Sequence, residues 1–321
     1  MKPSAPRRVS WGVYGTLFLF LLAAPPVLVW ADQPFYMDLL TRVLILSIAA
    51  SSLNLILGYG GMISLGHAAF VGLGAYSVAI PSYYGIYSGY LHLGIAIAAC
   101  VLFALVTGAI CLRTRGVYFI MITLAFAQML YFTFVSLEEY GADDGLLIYQ
   151  RSEFSGLLNL ENPGVLYYLA MGVLAGCLGL MNRLIHSRFG RVIVGIRHNE
   201  PRMQSLGYNT YRYKLACYAI SGAMAGISGF LLGNFTYFIS PEMMDWTRSG
   251  ELIFMVVLGG TGVLLAPVAG TAVFLLLEEI LSAFTVYWHL LFGGFLIAIV
   301  LFGRGGLHGL VEKLERRNHS R

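Results

Sequence analysis

The sequence predicts an all-α, polytopic integral membrane protein. It reads as one transmembrane domain over residues 1–321, with about ten transmembrane helices and glycine-rich broken segments. Three observations predict this class. Hydrophobic residues make up 58% of the chain and charged residues only 11%, against roughly 25% charged in soluble domains. The apolar runs reach the ~20 residues that a helix needs to cross a bilayer, whereas barrel strands would read as short alternating segments. Six glycines crowd the stretch "GYGGMISLGHAAFVGLGAY" from Gly58 to Tyr76, inside apolar sequence where each costs a helix about 1 kcal/mol against Ala.

The expected spans follow in order. The first covers 12–30, behind Lys2, Arg7 and Arg8. Its apolar run is longer than the 7–15 residues of a signal h-region, so it reads as an uncleaved helix. The second, 39–57, runs into the glycine stretch, and a short third span at 64–80 comes out of it. Spans at 92–112 and 117–137 precede an acidic loop at 138–163. A sixth span at 164–182 leads to the basic segment "RLIHSRFGRVIVGIRHNEPRMQSLGYNTYRYK" at 183–214. The seventh occupies 213–235. A short eighth at 250–265 is barely separated from the ninth at 267–285, and the tenth lies at 287–303.

Charge orients these spans. With a cytoplasmic N-terminus and strict alternation, seventeen of the twenty Lys and Arg residues fall on the inner side. Only Arg42, Arg151 and Arg248 do not. This is the positive-inside bias, and it puts both termini in the cytoplasm. Orientation accounts for the net charge of +4, so no nucleic-acid partner is called for.

The chemistry is sparse. No Gly-Lys pair occurs, so there is no Walker A loop, and HExxH is absent. "RHNE" at 197–200 supplies too few ligands for a metal. Cys100, Cys111, Cys177 and Cys217 lie in apolar runs without CxxC spacing and read as packing residues. No catalytic residue, metal site or bound cofactor is expected. Glu251, Glu278 and Glu279 read as interfacial. His67 reads as a hydrogen-bonded packing histidine, with a proton relay as the alternative.

Glycine has two expected uses. Gly172/Gly176 and Gly222/Gly226, with Gly229/Gly233, have the spacing of helix-packing faces. Gly60, Gly61, Ser64, Gly66 and His67 form a break, and Gly259, Gly260 and Gly262, ahead of Pro267, form a second one in the other half. Paired breaks point to a translocation path, because irregular backbone at membrane depth is tolerated only against protein or water. Tight turns between short spans are the alternative.

Six blocks carry a resemblance: "NLILGYGGMISLGHAAFVGLGAY" (54–76), "LRTRGVYFIMITLAFAQML" (112–130), "GRVIVGIRHNE" with "LGYNTYRYKL" (190–215), "SGAMAGISGFL" (221–231), "ISPE" (239–242) and "MVVLGGTG" (255–262). In this order they resemble the inner-membrane permeases of branched-chain amino acid ABC importers, the LivM type most closely. The resemblance implies a pore-forming subunit of the bacterial inner membrane. It implies as partners a second homologous permease, two cytoplasmic ATPase subunits that use ATP, and a periplasmic binding protein. It also implies an ATPase-coupling segment, matched here by Gly190, Arg191, Arg197, Asn199, Glu200, Leu206 and Gly207. Departures are Pro201, Arg202 and Met203, where the family tends to small residues, and "FGRGGLHGL" at 302–310. Relatives also carry urea and other small solutes. An ion-coupled secondary carrier and a membrane-embedded enzyme are the competing classes.

Overall fold

The computed structural model describes residues 34–154, 160–285 and 287–302, with a few isolated positions beyond them. Eleven helices are seen among the described residues. These are α1 (Pro34–Asn54), prolonged by a π-helical turn (Leu55–Tyr59), α2 (His67–Tyr83), α3 (Gly89–Cys111), α4 (Val117–Val135), α5 (Pro163–His186), α6 (Arg188–His198), α7 (Glu200–Ser205), α8 (Thr210–Thr236), α9 (Trp246–Gly259), α10 (Ala266–Phe284) and α11 (Trp288–Phe302). Helices thus stand where spans two to ten are expected. The first expected span, 12–30, lies outside the described residues.

The count of ten crossings is not confirmed. Among the described residues, six helical segments are long and apolar enough to cross a membrane: Pro34–Tyr59, Gly89–Cys111, Val117–Val135, Pro163–His186, Thr210–Thr236 and Ala266–Phe284. The others, α2, α9 and α11, have 17, 14 and 15 residues. α2 and α9 are shortened because the glycine breaks take up their ends.

The centre of the bundle is α1, α2 and α8. Small residues let α2 and α8 touch backbone to backbone: a methyl on Gly74 would meet the Gly226 carbonyl, and one on Gly229 would meet the Val71 carbonyl. Without a hydrophobic drive between helices in lipid, such close approach and interhelical hydrogen bonds hold them together. Ser228 donates to the Ile45 carbonyl at 2.6 Å and Ser221 to the Ser52 carbonyl at 2.5 Å, tying α8 to α1. Phe70 stacks edge-on against Phe103 and Tyr218, with ring centroids 5.5 Å apart in both pairs. The expected packing face at Gly172/Gly176 behaves differently. Nothing among the described residues stands within 4 Å of a methyl at either position.

Segments assigned to the same side of the membrane meet. At one end, Arg115, Glu200 and Lys214 converge. At the other, β1 (Leu146–Leu147) pairs antiparallel with β2 (Phe238–Ile239), and Gly89 N donates to the Glu153 carbonyl at 2.8 Å. The acidic loop is bolted there by Arg151. Its guanidinium is buried, donates to the carbonyls of Asn234 (2.8 Å) and Leu160 (2.5 Å), and lies 4.4 Å over the Tyr237 ring.

Candidate functional site

The first break begins where α1 loosens into its π-helical turn. Gly60 N, Gly61 N and Met62 N close back on the carbonyls of Leu55, Leu57 and Ile56. Gly61 has φ +68, the left-handed conformation that ends helices and favours glycine. The chain then runs without helix to Gly66, where a methyl would lie 2.5 Å from the Thr123 carbonyl oxygen. Helix resumes at His67.

His67 is fully buried at the N-terminus of α2. Its Nε2 lies 2.8 Å from Ser52 Oγ, whose hydroxyl donates to the Ala49 carbonyl at 2.6 Å. The hydroxyl proton is therefore committed, so the imidazole must be the donor and carry its hydrogen on Nε2. Nδ1 has no hydrogen-bond partner among the described residues. The ring thereby pins the start of α2 to α1. A relay would need a partner on each nitrogen.

The second break follows α9. Gly260 has φ +121 and Gly262 φ +79, and α10 restarts at Ala266 with Pro267 in its first turn, where a missing N–H costs nothing. A methyl on Gly259 would strike the Ala266 carbonyl, and one on Gly270 the Met255 carbonyl. The glycines therefore let α9 and α10 cross at backbone distance.

The two breaks meet. Buried Asn54, the last residue of α1, accepts from Gly262 N at 3.0 Å and donates to the Val263 carbonyl at 2.9 Å. A methyl on Gly58 would sit 2.5 Å from Gly262 N. Arg197 of α6 covers this junction. Its Nη1 donates to the Gly58 carbonyl, and its Cγ lies 2.8 Å from where a Gly61 methyl would be. Gly60, Ser64, Gly66, His67, Gly259 and Gly260 are buried, Gly262 is half-buried and Gly61 exposed. The sequence reading missed Asn54 and Gly58. Their signal was an amide at the end of an apolar run, since a buried amide demands partners.

The coupling residues divide into two groups. Ser187 caps α6 by accepting from Gly190 N at 3.3 Å. Gly190 is tight against the Leu184 and Ile185 carbonyls, which leaves no room for a side chain at the α5–α6 corner. Val192, Ile193 and Ile196 bury the inner face of α6. Glu200 faces inward as well, 2.8 Å from Lys214 Nζ and 3.3 Å from Arg115 Nε. Burial works against ionisation of its carboxyl, but Lys214, Thr210 and Arg115 outweigh it and hold the group below the usual glutamate range. Arg191, Asn199, Leu206 and Gly207 lie on the outer surface; Leu206 is 64% exposed. Asn199 accepts from Arg202 N at 3.0 Å and caps α7, and Gly207, with φ +84, turns the chain out of it. So α6 and α7 present a formed, capped surface while Arg197 and Glu200 fasten it to the bundle.

Glu251 lies five residues into α9, ~7.5 Å of helix from its start, and Glu278 six residues before the end of α10, ~9 Å, at about 1.5 Å per residue. Each is paired with an arginine.

Comparison with known proteins now bears on this arrangement. A profile described as the permease component of branched-chain amino acid transport systems matches residues 35–301. The high-affinity branched-chain amino acid transport system permease protein LivM of Salmonella typhimurium is 29% identical over 295 residues, 84% of this chain and 69% of that protein. LivM of Escherichia coli is 28% identical over 293 residues with the same coverage. A probable branched-chain amino acid transport permease protein LivM of Methanocaldococcus jannaschii is 34% identical over 83 residues, about a quarter of each chain. No solved structure matches. The matched region takes in both breaks, the basic 183–214 segment and, among the described residues, the six segments long enough to cross a membrane but for Pro34. The chain belongs to the branched-chain amino acid transport permease family and is an integral membrane transport component.

Proposed function

We propose that the chain is a pore-forming subunit of an ATP-driven importer in the bacterial inner membrane, with both termini cytoplasmic. Its solutes are branched-chain or other hydrophobic amino acids; branched-chain amino acids are the class that the relatives are named for. A second, related permease completes the path, two cytoplasmic ATPase subunits dock on α6 and α7, and a periplasmic binding protein delivers the solute. The chain binds no cofactor itself.

The observation that carries this reading is the contact of Arg197 with Gly58 and Gly61. Through it an exposed helix of the basic segment rests directly on both backbone breaks. A push on α6 is thereby a push on the ends of α1, α9 and α10, which is what an external ATPase needs in order to move a path. Reconstitution tests it. Leucine uptake into proteoliposomes should require the partner permease, the ATPases, ATP and the binding protein. Uptake by this chain alone, driven by a proton or sodium gradient, would overturn it in favour of a secondary carrier. Transport of urea and not of amino acids by the full complex would overturn the solute class.

A further inference from the structure

Five charged side chains gather where α1, α9 and α10 meet. Arg42 Nη2 lies 3.3 Å from Glu278 Oε1. Arg248 reaches Glu242 Oε1 at 2.8 Å and Glu251 Oε1 at 3.0 Å. Glu251 also interacts electrostatically with Glu278 and Arg42, so the two sets form one lattice. Counted from the nearer helix ends, Glu251 lies ~7.5 Å into α9, Glu278 ~9 Å before the end of α10 and Arg42 ~12 Å into α1, so all three sit within apolar helices. Yet none of the five is sealed: the side chains keep between 21% and 70% of their exposure, Glu242 most and Glu278 least.

Open charges at that depth do not face lipid; they face a bundle interior or a water-filled cavity. The contrast with α3 is plain. Its outward residues, among them Ile97, Leu102, Val106 and Ile110, are exposed and wholly apolar, as a lipid-facing helix requires. The lattice also continues sideways. Asp245 caps α9 by accepting from Thr247 N at 2.8 Å, and its other oxygen is 3.5 Å from Gln128 Nε2 of α4. Gln128 shares one open face of α4 with Met129, Phe132, Thr133 and Ser136.

We propose that this face lines the aqueous solute path, with Arg248 receiving the carboxylate and Glu242 the ammonium of a zwitterionic solute whose apolar side chain runs along Met129 and Phe132. The inference rests on the permease reading above and names the residues that meet the solute. Its physical logic is exchange. The solute carboxylate replaces Glu242 on Arg248, and the solute ammonium takes the freed Glu242 carboxylate. One ion pair within the protein is exchanged for two with the solute, and the lost Arg248–Glu242 pair offsets part of the gain, which keeps the binding well shallow, as conduction demands.

Accessibility decides it. Single cysteines replace Glu242, Arg248 and, as a lipid-facing control, Leu102, in the complex assembled with the partner permease, ATPases and binding protein. The native cysteines are buried. A charged, membrane-impermeant methanethiosulfonate reacts with the hydrated thiolate, so Glu242→Cys and Arg248→Cys should label about tenfold or more faster than Leu102→Cys. Saturating leucine should slow labelling at Arg248→Cys by about threefold. Retained ATP hydrolysis reports assembly, and Arg248→Lys should retain leucine uptake that Arg248→Gln loses. Labelling at the Leu102→Cys rate would overturn the proposal, as would fast labelling indifferent to leucine in a complex that imports leucine. If the complex imports no branched-chain amino acid but another zwitterion slows labelling, the solute assignment above falls and this site stands.

Discussion

The two ends of the bundle are fastened with the same residue types and to different degrees. At the end that carries the 138–163 loop, the outer one in the proposed orientation, Arg151 is 7% exposed, gives hydrogen bonds to the Asn234, Leu160 and Glu161 carbonyls and covers Tyr237. Beside it the Asn234 amide accepts from Ser152 N and donates to the Phe230 carbonyl. At the inner end Asn54 does the same work between two backbone breaks. The arginine there, Arg197, is exposed and holds one carbonyl. The arginine of the outer end is a lock and that of the inner end a clip. The several buried hydrogen bonds of Arg151 resist opening more than the one part-buried bond of Arg197 does. The difference teaches where motion can enter: at the end where Arg197 and the exposed surface of α6 and α7 lie.

That contrast can be broken by substitution. Arg151→Ala should have the largest effect, about 3 kcal/mol or more of lost stability, because it strands several buried carbonyls. Thermal unfolding of the purified protein in detergent measures it; an unchanged midpoint would remove the lock. Asn54→Leu should follow at about 2 kcal/mol, for one buried N–H and one carbonyl left unpaired, and should lower transport further by parting the two breaks. Gly61→Ala should cost about 1 kcal/mol from its left-handed φ. Pairing it with Arg197→Ala in a double-mutant cycle should show non-additivity, since the methyl and the Arg197 side chain compete for one space.

Arg197→Ala alone sharpens the comparison. Its effect on stability should stay under about 1 kcal/mol, as for an exposed contact, while leucine uptake falls and ATP hydrolysis continues. Equal loss of both activities would mean that Arg197 serves assembly and not linkage. The smallest effect belongs to Glu200. Its carboxyl is held below the ordinary value of 4.5, so it contributes stability above that value and loses it as pH falls through the lowered one. Glu200→Gln should therefore lower the unfolding midpoint modestly at neutral pH and flatten its acid limb, leaving the value at low pH little changed.

Much of the architecture was legible in the residues. Long apolar runs located α1 to α5 and α8 to α11, because a chain in lipid must satisfy its backbone internally and helix is the direct solution. The breaks at 58–66 and 259–265 were legible from glycine and Pro267 for the same reason. The pairing of segments by side followed from the basic residues. The packing role of glycine was not legible: Gly229 and Gly172 share their spacing, yet one is pressed on Val71 and the other faces nothing described. Spacing sets which face of a helix a residue occupies, and it does not say what stands opposite.

The sequence by itself therefore determined the class, the family and the places where the backbone gives way, since each of these depends on local composition and chain order. Only the tertiary structure decided that the two breaks form one junction, that Asn54 joins them and Arg197 covers them, and that Glu200 points inward. It also decided that Arg42, Arg248 and three glutamates form one lattice. Asn54 and Gly262, or Arg42 and Glu278, are more than two hundred residues apart. A hydrogen bond acts over about 3 Å, so its partners are chosen by how the helices are stacked and leave no trace in the order of the chain.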